Sequence, residues 1–203
     1  GTIIKYTVSS LGIDKKSGNI RTKKMGYFYA DKDNFEDVQR SAGTFGMRHP
    51  LTFLLEAADD IAYKTADIED AVKKGCISYE RLLQELRGFR PEQQTEQYRR
   101  IVSWLEERFG KGVQRDYSRP DLYAVQNWVI SAQGQMIAGV TDCFTANYGA
   151  IMDGSYGKDM FAGTGVELLM DALGDIAFRY AFDTDWLYRP YRMFLWAAAV
   201  PAW

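Results

Sequence analysis

Apolar residues recur at three- and four-residue spacing along most of the chain, and that period predicts helices. Residues 31 to 41 read as a short helix begun at Asp31 or Asp33. Residues 50 to 74 read as a long one, with Pro50 in its first turn, where a missing N–H costs nothing, and Gly75 closing it. Ser78 is a suitable N-cap for a helix over 79 to 87. "RGFRPEQQ" then interrupts the pattern. It resumes over 92 to 109, with Tyr98, Ile101, Val102, Leu105 and Phe109 inward. A largely apolar run over 122 to 152 predicts a central helix. A last helix is expected over 164 to 181, with Val166, Leu169, Met170, Leu173, Ile176 and Ala177 inward. Period-two alternation is too short anywhere to predict a sheet. The expected fold is therefore all-α with long connections, organised as a single helical domain over 1 to 203.

The polar side of the helix over 50 to 74 departs from the usual mixture of signs. At 100° per residue, Glu56, Asp59, Tyr63, Asp67 and Asp70 share one stripe, with Asp60 beside it. Leu51, Leu54, Ala58, Ile61, Ala62, Thr65, Ile68 and Val72 are expected on the opposite, inward side. Lys64 lies off the stripe, and Lys73 and Lys74 come at the C-terminal end, where they suit the helix dipole. The plain account of such a stripe is a solvated face. Two features argue for more. Solvated faces pair acids with bases four residues apart, and here an aromatic ring stands one turn from a carboxylate on either side. Carboxylate oxygens also suit a hard divalent cation.

Composition narrows the function classes. Of 203 residues, 46% are hydrophobic and 26% charged, the balance of a soluble globular chain. A net charge of -2 provides no basic field for nucleic acid or an acidic membrane. No apolar run reaches the roughly 18 residues that span a bilayer, and residues 1 to 9 do not read as a signal peptide. Cys76 and Cys143 stand in no metal or redox spacing, so a reducing, cytoplasmic setting is the default. His49 is the only histidine, which excludes a His-rich metal site built from this chain alone. His49 itself reads as a helix-entry residue before Pro50. Met136, Met152, Met160 and Met170 read as core fillers. The abrupt start, "GTIIKY", reads as the interior of a domain, and the chain is expected to be a piece of a longer protein.

"RHPLTFLLEAADDIAYKTADIEDAVKKG", residues 48 to 75, resembles the EAADDIxYxxxDxEDA segment of the dGTPase-type deoxynucleoside triphosphate triphosphohydrolases, helical enzymes of the HD-domain superfamily. "KKMGYFYADKDNFEDV" resembles the family's Lys-x-Gly-Phe-Phe stretch. "ANYGAIMDGSYGKDMF" resembles its NYxxIMxGxFxxxL stretch, and "RYAFDTDWLYRP" a C-terminal one. The resemblance runs from near residue 1 to about residue 190 and implies cleavage of a dNTP to a deoxynucleoside and tripolyphosphate. It implies a role for each matching residue. Asp59 matches the last ligand of a divalent metal, Mn²⁺ or Mg²⁺. Tyr63 matches the tyrosine that packs on deoxyribose, and Asp67 the aspartate that accepts from the 3′-OH. Lys5 and Lys24 match lysines that reach the phosphates. Glu56 and Asp60 are expected as salt-bridged or supporting groups. Self-association into a homo-oligomer is also implied.

Two departures from the pattern stand out. The family's first metal-binding histidine, its His-Asp doublet and the acid–base residues nearest the scissile phosphate lie upstream of the matched region, so catalytic residues are not assignable and the chain is expected to be inactive by itself. After "LYRP" the chain reads "YRMFLWAAAVPAW", a tail in which Phe194, Leu195, Trp196 and Trp203 need a cover. The competing reading is a non-enzymatic helical module whose acidic helix face docks a basic partner.

Overall fold

The computed structural model of the chain describes residues 2–16 and 19–182. The expectation for the apolar tail falls outside them. Seven α-helices account for most of the described residues: α1 (Lys32–Ser41), α2 (Pro50–Lys73), α3 (Tyr79–Gly88), α4 (Glu96–Gln114), α5 (Pro120–Ala146), α6 (Tyr148–Met152) and α7 (Glu167–Ala177). Among the described residues the only β pairing is an isolated bridge between Ser9 and Tyr27. The fold is all-α, and no helix of the described residues is long and apolar enough to cross a membrane.

The chain divides into two compact units, Gly1–Ile61 with Met136–Glu167, and Ala62–Gln135 with Leu168–Trp203. In the first unit the N-terminal half of α2 carries Phe53, Ala57 and Ile61 into a core that also holds Met136, Val140, Ile151, Met160 and Phe161. Phe53 meets the Tyr156 ring edge-on at 5.6 Å, and Tyr27 stacks on Phe35 at 4.0 Å. The N-terminal segment runs beside residues 21–27, with Thr7 N–H donating to the Arg21 carbonyl at 3.3 Å. Gly26 is essential to that approach. It donates to the Val8 carbonyl at 2.9 Å, and a Cβ on it would lie 1.9 Å from the Tyr6 carbonyl oxygen. Backbone cannot yield as a side-chain tip can. Gly26→Ala is therefore expected to cost about 1–3 kcal/mol, as overpacking does; a smaller loss in urea unfolding would mean that this segment contributes nothing to the folded unit.

The second unit is built on long-range contacts between its helices. Tyr98 of α4 is buried and donates to the Leu86 carbonyl of α3 at 2.7 Å. Trp128 of α5 is fully buried and donates to the Ile101 carbonyl of α4 at 2.8 Å. Tyr79 stacks on Phe109 at 4.2 Å. Leu169, Met170, Leu173, Ile176 and Ala177, expected inward, are buried here, as Val166 is in the first unit. The caps explain several boundaries. Ser78 Oγ accepts from Arg81 N–H at 3.2 Å, and Gly75, at φ +74°, turns the chain out of α2.

Several boundaries differ from the sequence reading; the last helix, expected over 164 to 181, runs over Glu167–Ala177 and gives way to a π-helical turn at Phe178–Phe182. The helix expected at 92 begins at Glu96, because Pro91–Gln93 form a separate 3-10 turn and Thr95 is the working cap, accepting from Tyr98 N–H at 3.1 Å. It also continues to Gln114 through Gly110 and Gly112. The run over 122 to 152 is broken at Asn147, whose side chain donates to the Cys143 carbonyl at 2.8 Å and so competes with the backbone ladder. Of the four methionines, Met152 is 45% exposed rather than a core filler.

The inward face of α2 also differs. Ile61, Thr65, Ile68 and Val72 are buried as expected, but Leu51 is 53% exposed, and Ala58 and Ala62 are exposed as well. Phe53, Ala57 and Ala71 take the core instead. The helix is rotated toward the largest side chain available, because burying a phenylalanine gains more than burying an alanine.

Candidate active site

The candidate residues are carried mainly by α2, which is continuous from Pro50 to Lys73. Helical geometry puts Asp59, Tyr63 and Asp67 on one line, one turn apart, spanning about 12 Å along the axis. Their environments are distinct. Asp59 accepts from the Lys5 ammonium at 2.7 Å, with side chains 40% and 31% exposed respectively. This contact joins residues 54 positions apart in sequence. Tyr63 is 70% exposed, so its ring is open to a stacking partner. Asp67 is half-buried and accepts no hydrogen bond from any described residue. Burial pushes its carboxyl pKa up, the Asp70 charge adds to the rise, and Lys74 opposes it.

Lys24, by contrast, is exposed and has no ion pair among the described residues. The structure thus joins Lys5 to Asp59 and shows no such contact for Lys24 among the described residues. His49 is a helix-entry residue, its Nδ1 accepting from Leu51 N–H at 3.2 Å.

The stripe is less acidic than its sequence. Glu56 is ion-paired with Arg48, Asp59 with Lys5 and Asp70 with Lys74. Glu69 accepts from the Gln126 side chain at 3.0 Å. Arg48 is the participant that sequence reasoning missed. Its side chain is 1% exposed, Nε donates to the Lys5 carbonyl at 2.7 Å, and the guanidinium lies 4.8 Å from the centre of the Phe53 ring. The available signal was weak: an arginine just ahead of a helix, eight residues before a glutamate.

The described residues do not fit a divalent metal by themselves. No three of His, Cys, Asp and Glu cluster among them. Asp59 is a single carboxylate, and one of its oxygens already takes an ammonium. Titrating the chain with Mn²⁺ and following paramagnetic broadening of the Asp59 signals is expected to show no saturable site tighter than about 1 mM, the weak end of multi-carboxylate sites. A tighter one-to-one site would contradict this.

The chain is similar in sequence to known proteins over most of its length. No family model matches the chain. It is 37% identical over 182 residues to a deoxyguanosinetriphosphate triphosphohydrolase-like protein of Listeria monocytogenes, covering 89% of this chain and 37% of that protein. It is 29% identical over 163 residues to a deoxyguanosinetriphosphate triphosphohydrolase of Yersinia enterocolitica, covering 78% of this chain and 32% of that one. An Enterobacter protein of the same name is 40% identical over 89 residues, covering 42% of this chain and 18% of its own length. The chain spans about a third of the length of the first two relatives. By that likeness, sustained over nearly the whole of its sequence, the chain is a homologue of part of the deoxyguanosinetriphosphate triphosphohydrolases.

Proposed function

We propose that this chain is the sugar-holding part of a deoxynucleoside triphosphate triphosphohydrolase, which cleaves a dNTP, dGTP first among them, to a deoxynucleoside and tripolyphosphate. One observation carries this reading: along α2, an open tyrosine ring stands one turn from a half-buried carboxylate that has no hydrogen-bond donor among the described residues.

Each residue has a task that its surroundings suit. The Tyr63 ring packs on the deoxyribose and leaves little room for a 2′-OH. Asp67, with no donor among the described residues, accepts from the 3′-OH, and that contact orients the phosphate chain for attack. Lys5 and Lys24 supply positive charge to the triphosphate, where preorganised charge lowers the barrier most. The divalent ion of this reading, Mn²⁺ or Mg²⁺, would need ligands beyond the described residues in addition to Asp59.

Docking of a basic partner to the acidic face is the lesser reading. Its attraction depends on free carboxylates, and Glu56, Asp59 and Asp70 already have cationic partners.

Product analysis tests the proposal. In a protein of the relatives' full length that carries these residues, dGTP is expected to give deoxyguanosine and tripolyphosphate in equal amounts. Release of pyrophosphate or orthophosphate as the first product would sink it. The 203-residue chain by itself is expected to show no turnover with any dNTP and Mn²⁺.

A further inference from the structure

We infer that Arg48 is a positioning residue for this site: it fixes the Lys5 backbone against α2 and thereby sets the Lys5 ammonium on Asp59. The consequence for catalysis rests on the function proposed above; the positioning itself does not.

The guanidinium makes two directed contacts from a buried position. Nε donates to the Lys5 carbonyl at 2.7 Å, and Nη2 donates to the Glu56 carboxylate. Glu56 precedes Asp59 by three residues, so both face the same side of α2. One planar fork therefore ties the Lys5 backbone to the helix within one turn of the residue that the Lys5 side chain reaches. Other anchors hold this segment, but not at Lys5. Thr52 Oγ1 donates to the Thr2 carbonyl at 2.7 Å, three residues upstream, and Thr7 N–H donates to the Arg21 carbonyl at 3.3 Å, two residues downstream. Among the described residues, Arg48 supplies the backbone bond at Lys5 itself.

A core-filling role explains Arg48 poorly. Its Nη1 is buried and has no hydrogen-bond partner among the described residues. An unmet buried donor is a cost that an apolar residue would avoid. Lysine would keep the charge and much of the volume, but a point charge cannot bond a carbonyl and a carboxylate in the fixed geometry of a fork. The arginine is thus the residue type that joining these two partners demands.

Amine footprinting of the 203-residue chain tests the inference, with each lysine's acetylation rate divided by its own rate in the urea-unfolded chain. In the wild type, Lys5 is expected to be protected about threefold to fivefold, the size of an ion pair at this exposure, and exposed Lys24 not at all. Asp59→Asn should abolish the protection of Lys5. Arg48→Lys should abolish it equally, while buried Cys143 stays shielded from alkylation, which reports that the first unit remains folded. Should Arg48→Lys expose Cys143, Glu56→Gln, which removes the charged anchor of the fork, carries the same test. Lys5 protection that survives in the folded Arg48 or Glu56 variant, but is lost in Asp59→Asn, overturns the positioning role. Protection that survives Asp59→Asn overturns the pair itself. No nucleotide enters the measurement, so its outcome is independent of whether the triphosphohydrolase reading holds.

Discussion

Trp128→Ala is expected to destabilise the second unit by about 3–5 kcal/mol, the usual cost of deleting a buried large aromatic. The indole is fully buried, and Ala124, Val125, Val129 and Ala132 around it on α5 are buried too. Alanines cannot expand to fill the space, so most of the cavity would persist, and its volume sets the cost. The indole N–H also donates to the Ile101 carbonyl at 2.8 Å and so links α5 to α4. Against a total stability of about 5–15 kcal/mol, such a loss is a large fraction. Urea unfolding followed by circular dichroism measures it. Trp128→Phe, which keeps most of the volume but not the donor, should lose less. Trp104 is only half-buried, and Trp104→Ala should cost less than Trp128→Ala. Equal losses at the two tryptophans would mean that α5 is not packed as the structure has it.

That core was legible in the sequence because large apolar residues at three- and four-residue spacing leave little choice of face. Leu169, Met170, Leu173, Ile176 and Ala177 are all buried for this reason. Ser78 and Gly75 were legible because a cap and a left-handed turn require particular residue types. The inward face of α2 was less so: alanine is tolerated on either side of a helix, so Ala58 and Ala62 counted as core markers when they are exposed. The start at Thr95 was obscured by Pro91, a residue equally suited to begin a helix or a 3-10 turn. Asn147 was concealed in an apolar run, since a side chain that bonds its own helix leaves no periodic trace.

The candidate site divides in the same way. Asp59, Tyr63 and Asp67 are one motif on one helix, and local spacing places them on one line. The Lys5–Asp59 contact spans 54 residues and the bond from Arg48 Nε to the Lys5 carbonyl spans 43, and no local pattern encodes either. The unusual acidity of the stripe was itself an effect of that blindness. Two of its missing bases arrive from outside the helix: Lys5 from the chain's start, and Arg48 from just ahead of the first turn.

Asp59→Asn and Asp67→Asn are expected to separate stability from function in opposite ways. Asp59 forms an exposed pair with Lys5, so its loss should cost the fold no more than about 1 kcal/mol. In a full-length enzyme the same change should cut turnover by at least about 10- to 100-fold, as changes around a metal ion do. Asp67 should behave otherwise. Its pKa is raised on folding, first by burial and then by Asp70. A carboxyl with a raised folded pKa binds protons more tightly when folded. Stability therefore falls as pH rises from the unfolded value through the folded one, and the charged form remains a burden above that window. Asp67→Asn removes the charge, so the chain should gain up to a few tenths of a kcal/mol at neutral pH, and the gain should shrink as pH falls through the raised folded value. Melting temperatures at neutral and acidic pH measure this. In the full-length enzyme the same substitution should cost about 1–2 kcal/mol of transition-state stabilisation, roughly tenfold in kcat/KM, because asparagine still accepts from the 3′-OH but without charge. With a 3′-deoxy substrate that penalty should vanish. A residue that burdens the fold and is repaid only by substrate is the signature of a site rather than a solvated face. An Asp67→Asn chain that is less stable at neutral pH, or a penalty unchanged with the 3′-deoxy substrate, would return this carboxylate to the ordinary surface of a helix.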